Sequence, residues 1–182
     1  MKIMNTSIDG LKKIKHTIFR DKRGYFIESY NEIKYNNLLG KFHFLQHNRS
    51  KSCKGVLRGL HFQYPKFQSK LIYVLSGKIY DVAVDIRRNS KNFGKIYKFE
   101  ISAKDNKILY VPKGYAHGFL ALNNNTRICY AVDNFRVERN EKTLLWNFNN
   151  TKIKWPINLK KSRPLMSIKD MNGLKLNELY LN

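Results

Sequence analysis

Two histidines carry the first sign of chemistry. The run Val56-Leu57-Arg58-Gly59-Leu60-His61-Phe62-Gln63 sets an arginine and a histidine three residues apart inside an apolar, strand-like stretch. Regular pleating sends residues of odd separation to opposite faces, so both serve one site only if Gly59 marks a bulge or twist. The bland alternative is a satisfied buried histidine. A second run, Pro112-Lys-Gly-Tyr-Ala-His117-Gly-Phe, places His117 at the start of a strand after a Pro and Gly turn. His61 is followed by Phe62 and Gln63 rather than by further ligands, and two histidines alone make a poor site for zinc or iron. No metal and no other cofactor is expected.

The elements that must position these residues are short. From Phe44 to Val132 the sequence alternates apolar and polar residues in runs broken by Gly, Pro or Asn, the signature of antiparallel sheets. Lys70–Leu75 and Ile79–Ile86 flank Ser76-Gly77-Lys78, a connection of hairpin length, and are predicted to be neighbouring strands. Further strands are expected at Tyr97–Ile101, Ile108–Pro112, His117–Leu122 and Thr126–Val132. A short helix is expected over Glu32 to Leu39, a turn at Arg23-Gly24, and a strapped extension from Trp155 onward. So many short strands bury their edges best by closing into a jelly roll or barrel, which predicts an all-β fold with few short helices. The Pro112 to His117 run resembles the Pro-x-Gly-x-x-His pattern of cupins, and that resemblance implies a cupin-type jelly-roll β-barrel.

The length of 182 residues, 42% hydrophobic, suits one domain spanning 1–182. No apolar leader or membrane-length stretch is visible, and Cys53 and Cys129 form no paired framework, so a cytoplasmic protein is expected. The net charge of +22 attracts polyanions, yet the lysines are scattered and no basic helix stands out. A solvated basic surface favouring anionic nucleotides is expected rather than a nucleic-acid partner.

An ordered series of motifs runs through nearly the whole chain. It comprises Phe19-x-Asp21-x-Arg23-Gly24-x-Phe26-x-Glu28, Gln46-x-Asn48, Gly55 to Gln63, Lys70, Asp81 to Arg88, Phe93-Gly94, Pro112 to Phe119, Tyr130, Leu145-Trp146-Asn147, Trp155-Pro156 and Asp170. With this series the chain resembles the dTDP-4-dehydrorhamnose 3,5-epimerase family. The resemblance implies a cofactor-free epimerase acting on a nucleotide-diphosphate-linked 4-keto sugar for bacterial surface polysaccharide. A 4-keto group acidifies the neighbouring C–H bonds, so inversion needs a base on one face and an acid on the other. The implied base is His61, oriented by Asp170, and the implied acid is Tyr130. Lys70 would stabilise the developing oxyanion, with His117 against that oxygen or against the base. Arg58 would pair with the diphosphate. Arg23, Phe26 and Glu28, on a strand exchanged with a partner subunit, would bind the nucleotide with Gln46 and Asn48, implying a homodimer with shared sites. Outside the resemblance, Tyr130 reads as a core tyrosine and Lys70 as a solvated lysine at a strand edge.

Two positions depart from the family's pattern. Arg136 stands where a second tyrosine is usual and joins the expected substrate-binding residues, and His47 stands where an acidic residue is usual. They leave the nucleotide open between dTDP and GDP, the sugar between hexose and heptose, and inversion at C3, C5 or both. The rival readings are a 3,4-ketoisomerase and a non-enzymatic nucleotide or polyanion binder.

Overall fold

The computed structural model describes residues 1–6, 10–40, 42–147, 153–158 and 162–179. Its strands are β1 (Lys2–Asn5), β2 (Lys12–Lys15), β3 (Phe19–Asp21), β4 (Gly24–Phe26), β5 (Gln46–Ser52), β6 (Leu57–Gln63) and β7 (Lys70–Ser76). They continue with β8 (Lys78–Asp85), β9 (Ile96–Ser102), β10 (Lys107–Val111), β11 (Tyr115–Ala121), β12 (Thr126–Val132) and β13 (Glu141–Thr143). A six-stranded sheet of order β1-β2-β10-β7-β12-β5 faces a five-stranded sheet of order β13-β6-β11-β8-β9. The pairings within both sheets are antiparallel. The expected all-β jelly-roll class is what the chain adopts. Among the described residues the two sheets remain a sandwich, with no ladder closing them into one barrel.

Alternation explains three apolar layers. Ile72, Val74, Leu109 and Ile128 of the first sheet meet Ile79, Ala83, Tyr115 and Phe119 of the second in the space between them. The opposite face of β10 and β7, with Ile108, Tyr110 and Leu71, packs under helix α1 (Glu32–Leu39), whose Tyr35 is buried and whose N-cap is the Asn31 side chain. The outer face of the five-stranded sheet, with Val82, Val84 and Leu120, lies under Ile153 and Trp155. β8 and β11 are therefore covered on both sides, which is why they read as nearly continuous apolar runs.

The predicted hairpin between Lys70–Leu75 and Ile79–Ile86 does not form. β7 pairs with β10 and β12, whereas β8 pairs with β11 and β9 in the other sheet. Only Gly77 separates them, and it turns the chain across the sandwich with φ at +78°. A Cβ there would lie 2.5 Å from Thr126 Oγ1, so glycine is required twice over. Both strands find neighbours on each side from more distant parts of the chain, and a short link cannot report that.

Past Trp155 the chain returns over the five-stranded sheet as a strap. It is tied by isolated parallel bridges, Val56 with Leu165 and Leu144 with Leu174, and carries a one-turn helix, Ile168–Met171, capped by Ser167. The β3–β4 hairpin stands apart from both sheets, with Phe19, Tyr25 and Phe26 60%, 64% and 68% exposed.

Candidate active site

One end of the space between the sheets is filled by apolar side chains, and the other opens into a cavity of about 230 Å³. The six-stranded sheet lines it with Asn48, Ser50, Lys70, Tyr130 and Val132, and the five-stranded sheet with Arg58, His61, Gln63, His117 and Phe119. Lys70 shares its pleat with Ile72 and Val74, so a single alternation gives β7 a polar tip and an apolar body.

Arg58 and His61 reach the same cavity because the ladder slips between them. His61 lies opposite His117 and Arg58 opposite Phe119, so β6 spends one residue more than β11 over this interval. Gly59, with φ at +109°, supplies the irregularity, and any Cβ on it would lie 2.7 Å from Gly118 Cα and His117 O. Leu57, Leu60 and Phe62 meanwhile turn to the outer core.

His61 Nε2 sits 2.5 Å from Asp170 Oδ1, delivered by the strap. Burial alone would raise the Asp170 carboxyl, but the hydrogen bond and charge of His61, with bonds from Ser167 and the Gly59 backbone, hold it below the usual carboxylate range. An ionised carboxylate only accepts, so Nε2 carries the ring proton and Nδ1 is left as a lone-pair base. Lys70 Nζ donates to the His61 carbonyl at 3.0 Å. Burial pushes its ammonium down to about 8, opposed by the charges of Glu141 and Asp81. His117 Nε2 lies 2.8 Å from Asp81 Oδ2, both side chains buried, while Asp81 Oδ1 has no hydrogen-bond partner among the described residues.

Tyr130 faces His61 and His117 from the opposite sheet, the one that also carries Lys70, and its hydroxyl lies 3.3 Å from Ser50 Oγ. Burial pushes the phenol up to about 12, while the Ser50 hydrogen bond and the Arg58 charge pull against it. Arg58 donates from Nε to Ser52 Oγ and from Nη2 to the Lys51 carbonyl, both at 3.1 Å.

Arg136 also lines the cavity and pairs with Glu141 at 2.6 Å; Lys169 reaches the same Glu141 oxygen at 2.7 Å. Burial would raise Glu141, but Arg136, Lys169 and the His61 charge bring it down to about 2. Arg58, His61, Arg136 and Glu141 border an adjoining cavity of about 370 Å³ that Asp170 and Lys169 share. Gln46 is turned to a neighbour's use, its Oε1 accepting from the Arg136 backbone at 2.9 Å and its Nε2 donating to Asn48.

Arg23, Phe26 and Glu28 are not brought to this cavity. Arg23 pairs with Asp21 on the exposed β3–β4 hairpin, and Glu28 with Lys34. His47 is exposed on the outer face of β5, so that departure does not alter the cavity wall. Sequence reasoning missed Ser50, Gln63 and Glu141. The alternation Gln46, Asn48, Ser50 could have revealed the first, since one inward residue on a strand implies the next but one. Among the described residues no cluster of three or more His, Cys, Asp and Glu side chains is placed to hold a metal, and no helix is long and apolar enough to cross a membrane.

The family described as dTDP-4-dehydrorhamnose 3,5-epimerase matches residues 5–178. A relative of that description from Shigella flexneri is 40% identical over 96% of each chain. The crystal structure of the enzyme from Elizabethkingia anophelis superposes with a TM-score of 0.91 at 42% identity, covering 98% of both chains. That from Legionella pneumophila, solved with dTDP-4-keto-L-rhamnose, gives 0.92 at 38% identity over 98% of this chain and 94% of its own. With a match across nearly its full length, the chain belongs to the dTDP-4-dehydrorhamnose 3,5-epimerase family.

Proposed function

We propose that the protein inverts C3 and C5 of a dTDP-linked 4-keto sugar, the whole chain acting as one domain. The observation that carries this reading is the opposition of an oriented histidine and a phenol across one cavity, with a buried cation beside them. His61 Nδ1 takes the proton next to the ketone, and Asp170 stabilises the imidazolium that forms. The negative charge that develops on the ketone oxygen is met by the Lys70 ammonium in a water-poor wall, where such a charge is worth most. Tyr130 then supplies a proton from the other sheet, and hence to the other face of the carbon. His117, held by Asp81, closes the pocket on the His61 side. The smaller cavity suits a sugar ring; Arg58 and Arg136, bordering both cavities, suit the diphosphate.

The reading includes a homodimer in which the β3–β4 hairpin of each subunit covers its partner's cavity. Three exposed aromatics on a hairpin outside both sheets support it, as does the absence of Arg23 from its own chain's cavity lining.

The test is NMR of deuterium uptake from heavy water into dTDP- and GDP-linked 4-keto sugars. Uptake and inversion at C3 and C5 of the dTDP sugar is the expected result. Turnover of the GDP sugar alone would move the nucleotide, and migration of the ketone without inversion would replace epimerase by ketoisomerase.

A further inference from the structure

Each inversion leaves both proton-transfer groups in the wrong state for the next. On the reading above, on which this inference rests, a C–H bond breaks to His61 and its electron pair moves into the enolate. A new C–H bond then forms with the Tyr130 proton. Imidazolium remains on one sheet and phenolate on the other, and the phenolate is the costlier because its burial disfavours charge.

The Tyr130 hydroxyl lies 3.3 Å from Ser50 Oγ. Its position follows from the ladder: Tyr130 lies opposite Asn48 and Ile128 opposite Ser50, so Ser50 and Tyr130 are diagonal neighbours on one face. Ser50 alternates with exposed Arg49 and Lys51, which turns its hydroxyl inward to line the cavity. Arg58 is near enough for its charge to be felt at Tyr130, but its Nε and Nη2 already donate to Ser52 and Lys51. A serine hydroxyl, unlike guanidinium, both accepts and donates and rotates freely between the two.

We propose that Ser50 is the positioning residue of the proton donor, its hydroxyl accepting from the Tyr130 phenol before donation and donating to the phenolate afterwards. Cavity water then returns a proton to Tyr130, and His61 gives its own to solvent, so the balance closes.

The experiment follows a 4-keto sugar turned over by wild type, reading deuterium uptake and inversion at the same carbon. Ser50→Ala is expected to lower inversion about tenfold or more but uptake by less than about threefold, because loss of one hydrogen bond to a charged group falls on the reprotonation step alone. His61 still removes and returns protons on its own face in that variant. Ser50→Thr, which keeps the hydroxyl, restores the wild-type ratio. Equal loss of uptake and inversion, no loss of either, or failure of threonine to restore the ratio overturns the assignment. Should Ser50→Ala not fold, Ser50→Cys carries the same comparison with a weaker donor and acceptor. Absence of uptake by wild type with every sugar tried would instead overturn the functional reading.

Discussion

An ammonium group held inside a sandwich binds its proton less firmly than one in water, and Lys70, 8% exposed, is pushed down to about 8 from an ordinary 10.5. The folded state thus binds the proton more weakly than the unfolded chain. The cost to stability is fully present below about pH 8 and fades as pH rises toward 10.5, a burden of about 3 kcal/mol near neutrality. Lys70→Met is therefore expected to lower kcat by about a hundredfold or more while raising the melting temperature by a few degrees. Turnover measured against pH, with calorimetry of both proteins, checks it: wild-type activity should decline above about pH 8 as the cation is lost. A stability loss in the variant would show that the ammonium holds the fold together. At this scale Arg58, His61 and His117 are legible from type and spacing, and Asp170, Tyr130 and Lys70 from the ordered motifs around them. Ser50 is legible only by extending the alternation from Gln46 and Asn48, and Glu141 is not, because a polar residue facing a cavity alternates along a strand as one facing solvent does.

Strands are legible wherever apolar residues alternate, and α1 matches its expected span. β5 escapes notice because neither of its faces is apolar: Gln46, Asn48 and Ser50 turn inward, while His47, Arg49 and Lys51 are exposed. The pairing of β7 and β8 misleads because proximity along the chain argues for a hairpin and says nothing about a change of sheet. The slip in β6 is anticipated from Gly59, since two polar residues of odd separation reach one cavity only through an irregularity. Gly59→Ala tests that element. Its Cβ would meet backbone of β11 and strain a positive φ, so a loss of about 2–4 kcal/mol is expected in urea denaturation, with activity falling as His61 is displaced. Wild-type stability in this variant would mean that the ladder accommodates a side chain at the bend.

Across the whole molecule, the wall described above lacks Arg23, Phe26 and Glu28, which the proposed dimer would bring to it from the partner subunit. If hairpins are exchanged in a two-fold dimer, Arg23→Ala and His61→Asn are each inactive alone. Dimers formed after mixing and reassociation carry one intact site in half of the particles, and about a quarter of wild-type activity returns. No recovery would place Arg23 and His61 in the same subunit's site. The net charge of +22 opposes both folding and pairing by self-repulsion, so this reassociation proceeds better at moderate salt than at low salt.

The strap carries Asp170 to His61 yet joins the sandwich through isolated bridges rather than a ladder. Segments with few ladder bonds open at a lower free energy than central strands such as β8 and β11. Warming or mild denaturant is therefore expected to peel the orienting carboxylate away while both sheets, with Arg58 on β6, stay in place. Before it melts, the protein becomes a receptor without turnover: it still holds its ligand, its histidine has lost its tautomeric guide, and amide exchange over residues 165–174 reports the moment of the change.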